Sequence, residues 1–482
     1  MIKVHTETDK VCVAKAHEAG QSHLFDHWDD LSGEAQRLLV SDLQSINFQQ
    51  VKRLLHHHRH GTAPSSDVDA LLPLQADTLP TPHAPGNEPA ENGGIDFDDA
   101  LAAGEEALRS GIIALVTLSG GVGTGPLGEP TGLLAVGPVT GKSVFQLHAE
   151  KIRAINRRYR TSLRWTIVVH PDAFEQITTF FKKNNHFGLN ASDVVFVPQP
   201  RLPLVDRRGR FVLSKPGRLA LQPNGHGGII EELFDEKGLA ETKSRGTEHL
   251  FFFQVDNPLV RIADPLFIGY HLLAGSEATS KSISRDDAAE ELGVFCQAGD
   301  STGVIEYSEL PEEKRRLTES DGSLAFDTGN LAVHLFRTDF FERLANENIH
   351  LPCHAVERCF PCVNRRGKIE RPTEPNCFEF SCFLFDVLWL AKSSSVVSVP
   401  REDEFSPIRN TGGSHSPQSA QRDLSCLYAR WLRDCGASFA GATEDALPAI
   451  EISPLYALDK NELKSKIDLP MVIGGDLHLS GG

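Results

Sequence analysis

The chain has 482 residues, 40% of them hydrophobic and 23% charged, enough to bury ordinary cores in two or three domains. Its net charge of −17 argues against a nucleic-acid-binding surface but leaves room for a small anionic ligand, which needs only local donors. No stretch approaches the roughly 18 apolar residues of a membrane span, the N-terminus lacks the apolar core of a signal peptide, and the nine cysteines are an odd number. The chain therefore reads as soluble and cytoplasmic, with mostly reduced thiols.

Residues 1–60 form a helical segment. Leu24, Trp28, Leu31, Ala35, Leu38, Leu39 and Leu43 recur at helical spacing, and Ser32 caps the second of two helices. The run His56 to His60 reads as a solvated helix end, because consecutive side chains diverge and no partner ligands flank them. Residues 61–97, rich in Pro, Asp, Asn and Ala, read as a linker or surface loop.

An amphipathic helix from Asp98 to Arg109 leads into the apolar run Ile112 to Leu118, a buried parallel strand. Leu118-Ser-Gly-Gly-Val-Gly-Thr124 follows, and Ser143-Val-Phe-Gln146 is a capping box that opens a helix. Strand, glycine loop and helix together bring bare backbone amides up to a phosphate. The loop is neither a P-loop nor the dinucleotide fingerprint, and by itself it is equally a tight turn. Strands then alternate with helices: Arg164 to His170, Val194 to Val197 and Leu250 to Val255, with a helix from Pro171 to Asn184. This pattern predicts an α/β fold with a doubly wound sheet, whose ligands lie beyond the carboxyl ends of its strands.

Those loops hold the candidate site. Asp256, after the fourth strand, is placed to hold a divalent metal that bridges phosphates, although Asp256-Asn-Pro258 alone is an ordinary turn. Pro223 to Gly228 is a second glycine-rich turn. Gly293 to Cys296 and Val304 to Leu310 read as an antiparallel pair, with Glu306 and Tyr307 on opposite strand faces. Asn330 stands at the mouth of another apolar run. Cys353, Cys359, Cys362, Cys377 and Cys382 cluster, but with a single C-x-x-C they read as buried free thiols rather than a zinc site. Residues 98–400 form the expected catalytic domain and 401–482 a small C-terminal domain with β pieces.

Ten motifs, in order, resemble the eukaryotic-type UDP-sugar pyrophosphorylases, most closely the UDP-N-acetylglucosamine pyrophosphorylases. Besides the glycine loop they are Phe145 to Ile152, Phe187 to Leu189, Pro223 to Gly228, Val255 to Asn257, Ala263 to Gly269, Val304 to Glu309, Gly329-Asn330, Arg401 to Pro407 and Glu451 to Pro454. The resemblance implies a nucleotidyltransferase fold with a mixed sheet. It also implies an Mg²⁺-dependent reaction of UTP with a sugar 1-phosphate to give UDP-sugar and pyrophosphate. By the same likeness Leu118, Gly120, Gly121, Gly123, Thr124, Gln199, Gly225 and His226 would bind the nucleotide, and Glu306, Tyr307 and Asn330 the sugar. Asp256 would hold the metal, and Arg409 would be the C-terminal catalytic cation.

The chain departs from the pattern in places. The loop lacks the family's Arg, and Thr131 stands where a Lys is usual. Arg409 replaces a Lys, His226 an Asn, and Pro198 the Gln before Gln199. His226 leans toward the UDP-glucose enzymes. Two readings therefore stand. One is an active uridylyltransferase using Lys142 or Arg409 for the missing cations. The other is a weakened homologue that binds UDP-sugar as a sensor or regulatory partner. Nothing in the pattern sets an oligomeric state.

Overall fold

The structure is a computed structural model and describes residues 6–60, 68–81, 94–119, 128–230, 236–440 and 447–481. The chain divides into two compact units. One gathers residues 1–69, 199–232 and 349–387; the other holds 70–198, 233–348 and 388–482. The N-terminal helices thus share a unit with residues 199–232 and 349–387, and the expected 98–400 stretch is divided between the two units.

The larger unit is built on an eleven-stranded mixed sheet. Its main path runs Asp77–Thr78, Ser394–Ser398, Ala278–Ser284, Thr328–Arg337, His249–Gln254, Ile113–Leu118, Trp165–Val169 and Val194–Pro198. The last four run parallel to one another, while Thr328–Arg337 is antiparallel to both its neighbours. Every residue of Ile113–Leu118 is buried, as a continuous apolar run in the middle of such a sheet requires. The Phe97–Ser110 and Pro265–Ala274 helices cross so closely that a methyl at Gly104 would come 1.7 Å from the Pro265 carbonyl oxygen.

Two expectations about this unit change. Leu72–Pro73 and Asp77–Thr78 are strands of the sheet, paired with Val294–Ala298 and Ser394–Ser398, so this part of the expected linker is structural. The C-terminal stretch does not stand apart either. The Pro417–Cys435 helix and the Ile450–Ile452 strand place Leu424, Leu427, Ile450 and Ile452 in the core that holds Leu115, Ile167 and Phe251. Among the described residues no helix is long and apolar enough to cross a membrane.

In the smaller unit the helices Glu7–Glu18, Gly33–Gln44 and Phe48–His60 join short antiparallel pairs from the two inserted segments. Leu24, Trp28, Leu39 and Leu43 share a core with Leu202, Phe211, Leu219 and Phe380. Asp42 accepts hydrogen bonds from Arg218 Nε at 2.8 Å and from the Leu219 amide at 3.0 Å. The thiol expectation fails here in part: Cys353 and Cys382 form a disulfide, Cys359 is exposed and Cys377 is buried. Among the described residues no group of three or more His, Cys, Asp or Glu side chains converges as metal ligands.

Three buried imidazoles in the larger unit link its stability to pH. Burial is the main cause that depresses His148 and His271 to about 3 and His249 to about 4. His249 Nδ1 lies 3.1 Å from His271 Nε2, whose ring continues to Thr279 Oγ1 at 2.7 Å. In the unfolded chain each ring titrates near the ordinary ~6.5. The unfolded state therefore binds more protons below that pH, and the stabilisation, complete above it, drains away as pH falls toward 3–4. The expected loss is on the order of 2 kcal/mol per ring between pH 7 and pH 5. Urea melts at pH 7, 6 and 5 read it directly, and an unchanged midpoint would contradict it.

Candidate active site

The site begins where the central strands end. Leu118 faces Gln254 across the parallel pair, and the Val255 amide donates to the Leu118 carbonyl at 3.1 Å. Asp256 is thus set beside the start of the glycine loop. Gly120, Gly121, Gly123 and Thr124 lie outside the described residues. Ser119 is fully buried, and its hydroxyl finds no hydrogen-bond partner among the described residues. The sequence reading passes over it, although an unpaired buried hydroxyl at the mouth of a glycine loop is suited to a polar ligand.

The Val144–Tyr159 helix follows, with Ser143 Oγ accepting from the Gln146 amide at 3.1 Å. Only this half of the capping box forms, because Gln146 Nε2 turns to Glu150 Oε1 instead. Thr131, at the usual lysine position, opens a buried turn. Lys142 does not supply the missing cation freely. Its ammonium lies 2.8 Å from Glu150 and 3.7 Å from Glu451, and it is only 13% exposed. Glu451 also accepts from the amides of Val139 and Thr140 at 2.9 and 2.8 Å. The Glu451-Ile-Ser-Pro454 motif therefore clamps the turn before the helix.

Asp256 and Arg409, far apart in sequence, meet. Arg409 Nε is 3.8 Å from Asp256 Oδ2, and the Ile408 amide donates to the Asp256 carbonyl at 2.9 Å. Asn257 explains the meeting, a role that reading it as part of a turn misses. Its Nδ2 donates to the Glu404 carbonyl at 2.6 Å, and its Oδ1 accepts from the Ser406 amide at 3.1 Å. The Asp-Asn-Pro and Arg-Glu-Asp-Glu-Phe-Ser-Pro motifs are thus two halves of one structure. Behind them the fully buried Lys281 ammonium bonds Asp264 and Glu404, each at 2.8 Å. Burial raises the Asp256 carboxyl above the ordinary range, and the Arg409 guanidinium opposes that rise.

Asn330 lies buried in the Thr328–Arg337 strand. Its amide donates to Gly293 at 2.8 Å, and its Oδ1 accepts from the Ala332 amide at 2.8 Å. Ala332 has φ +59°, where the strand register shifts. The Gly293 contact joins Asn330 to the Val294–Ala298/Ser301–Ile305 hairpin, whose last residue precedes Glu306. The expected strand to Leu310 does not form. The chain turns at Glu306, whose carbonyl accepts from Glu309 at 2.9 Å and Leu310 at 3.1 Å. The alternating-face argument for Glu306 and Tyr307 therefore lapses; both are partly exposed.

Gln199, Gly225 and His226 belong to the smaller unit. Gln199 Nε2 donates to the Gly225 carbonyl at 2.6 Å. Gly225 has φ +79°, and a methyl there would come 2.3 Å from the Cys382 carbonyl oxygen, so only glycine fits. His226 Nδ1 accepts the Leu384 amide at 2.9 Å, with its ring beside the stacked rings of Phe383 and Phe385. That bond puts the proton of the neutral ring on Nε2, which stays a donor. Burial lowers His226 to about 4, so the ring is neutral at physiological pH.

Known proteins resemble this chain over most of its length. Residues 91–423 match the family described as UTP–glucose-1-phosphate uridylyltransferase. The chain is 30% identical over 480 residues to a Xenopus tropicalis protein called UDP-N-acetylhexosamine pyrophosphorylase-like protein 1, covering 94% of this chain and 92% of that one. It is 30% identical over 437 residues to the Saccharomyces cerevisiae UDP-N-acetylglucosamine pyrophosphorylase, covering 87% and 90%. A solved Entamoeba histolytica structure described as a UDP-N-acetylglucosamine pyrophosphorylase matches at 27% identity with a TM-score of 0.71, over 80% of this chain and 96% of that one. The Trypanosoma brucei UDP-N-acetylglucosamine pyrophosphorylase shares the fold at a TM-score of 0.79 over 99% of both chains, with 21% identity. This chain belongs to the UTP–glucose-1-phosphate uridylyltransferase family.

Proposed function

We propose that this protein is a UTP:sugar-1-phosphate uridylyltransferase that makes UDP-N-acetylglucosamine and pyrophosphate from UTP and N-acetylglucosamine 1-phosphate. The observation that carries the reading is the pairing of Asp256 with Arg409 at the carboxyl edge of the central strands. In the reaction a sugar-phosphate oxygen forms a bond to the α-phosphorus of UTP, and the bond from that phosphorus to pyrophosphate breaks. Such chemistry asks the protein chiefly to hold two anions in line and to neutralise charge. Arg409, with a half-exposed guanidinium, has the charge and the reach to meet a phosphate. Asn330 and the turn at Glu306 supply polar groups for a hexose.

Mg²⁺ is part of the proposal, and the residues suit it. Asp256 is a hard oxygen donor whose carboxylate accepts no hydrogen bond from another residue among those described, and its one cationic contact is the 3.8 Å approach of Arg409. Mg²⁺ in phosphate chemistry takes one or two protein carboxylates and completes its shell with phosphates and water, so a single Asp suffices. Bound there, the ion would supply charge neutralisation on the reacting phosphate.

The commitment of Lys142 to Glu150 and Thr131 at the usual lysine position favour a second reading, a weakened homologue that binds UDP-sugar. Pyrophosphate release from UTP, Mg²⁺ and a panel of sugar 1-phosphates separates the two. Turnover is expected, highest with N-acetylglucosamine 1-phosphate; preference for glucose 1-phosphate would instead follow the lead of His226. Absence of turnover with every sugar, from protein that still binds UDP-N-acetylglucosamine, would establish the binder.

A further inference from the structure

The loop that carries Asp256 is gripped from one face of the Val144–Tyr159 helix. His148 Nε2 meets the Val255 carbonyl at 3.0 Å. One turn later, Lys151 Nζ donates to the carbonyls of Pro258 at 2.6 Å and Val260 at 2.8 Å. These are the only hydrogen bonds the Lys151 ammonium makes among the described residues, and neither goes to an acid. Side chains at i and i+3 share a helix face, so the two basic groups hold the carbonyls just before Asp256 and two and four residues after it.

The surroundings make this grip matter. A cavity of about 550 Å³ borders Lys151 and the whole Pro258–Pro265 stretch. Side chains that fill space would fix a loop by packing. Leu259, Val260, Ile262 and Ala263 pack into the core from this stretch, but open volume lies along its other side, so the hydrogen bonds from the helix supply restraint there that packing does not. Leu259 and Val260 are buried, which leaves their backbone few other partners. Burial lowers the Lys151 amine to about 7, with Glu404 opposing the fall and Arg261 adding to it. The charged and neutral amine can both donate to two carbonyls, so the grip survives on either side of neutrality.

We propose that Lys151 is a positioning residue for the reaction, acting through the Pro258 and Val260 carbonyls to keep Asp256 aligned for its metal. This rests on the reading of Asp256 given above. Groups that orient a metal ligand without touching the metal cost 10- to 100-fold in affinity or activity when lost.

The test compares Lys151→Met, Lys151→Arg and Arg343→Met in the full chain. Arg343 bonds Glu277 at 2.8 Å and the Leu390 carbonyl at 3.0 Å in the same unit, so its loss controls for general destabilisation. Two readouts are taken: kcat with its Mg²⁺ dependence, and Mn²⁺ affinity by electron paramagnetic resonance on protein saturated with UDP-N-acetylglucosamine. Lys151→Met is expected to lower kcat about 10- to 100-fold and weaken Mn²⁺ binding by a similar factor, while the KM for the sugar 1-phosphate holds. Lys151→Arg, which keeps the donors, should recover most of both, and Arg343→Met should lose stability alone. Lys151→Met with the Mn²⁺ affinity and kcat of Arg343→Met would overturn the positioning role and leave the reading of Asp256 intact. Mn²⁺ binding and turnover that Asp256→Ala leaves unchanged would instead overturn that reading, and the role of Lys151 with it.

Discussion

Asp256→Ala is expected to lower pyrophosphate release about a thousandfold or more while leaving the protein folded. Removing the Asp256 carboxylate removes the proposed seat of the metal, whose charge stabilisation is worth several kcal/mol, and about 4 kcal/mol corresponds to a thousandfold in rate. The fold should tolerate the change. The carboxylate accepts no hydrogen bond from another described residue, and burial already works against its charge. The backbone tie from Ile408 to the Asp256 carbonyl does not involve the side chain. A melting temperature close to the parent's, with activity lost, separates a catalytic effect from an unfolded protein. Activity within tenfold of the parent would remove Asp256 from the reaction.

Arg409→Ala carries the second largest expected effect, a loss of about 10²–10³ in kcat, the usual cost of deleting one preorganised group that meets transition-state charge. With Thr131 at the usual lysine position and Lys142 held by Glu150, Arg409 is the cation most available near Asp256 among the described residues. The stability cost should stay below about 1 kcal/mol, since the side chain is 39% exposed and its hydrogen bond among the described residues is a 3.2 Å one to the Glu291 carbonyl. Arg409→Lys keeps the charge that the family pattern places there and is expected to retain activity within about tenfold of the parent. Initial rates at saturating UTP, alongside a melting curve for each variant, decide the matter. Equal rates for Arg409→Ala and the parent would assign the phosphate charge to some other group.

The disulfide and the domain pattern mark where local reasoning runs out. Cysteine spacing shows that Cys353 and Cys382 are near in sequence, but it cannot show that a chain returning through the Cys377–Ser381 strand brings them into contact. The Glu306 error is of the same kind. A β-like composition from Val304 to Leu310 ignores the turn that backbone bonds to the Glu306 carbonyl impose. The sequence shows the charge of Lys142 but not its partners, and two buried acids on other elements lie beside it.

What a linear reading could establish rests on short-range physics. The apolar run to Leu118, the Ser143 cap and the alternation of strand and helix each depend on neighbours within a few residues, and all appear in the structure. Motif order was sufficient for the family as well, because descent preserves order whatever the folding geometry. Tertiary structure alone decided how the pieces act together. It split the chain so that Gln199, Gly225 and His226 fall in one unit and Asp256, Asn330 and Arg409 in the other. It joined Asp256 to Arg409 through Asn257, and it set Lys151 and His148 under the Asp256 loop. These are contacts between backbone and side-chain groups distant in sequence. Each hydrogen bond adds only about 1 kcal/mol net, too little to leave a mark in local composition, yet leaving a buried group unpaired costs more. That asymmetry is why the folded chain makes these contacts and why the sequence pattern does not display them.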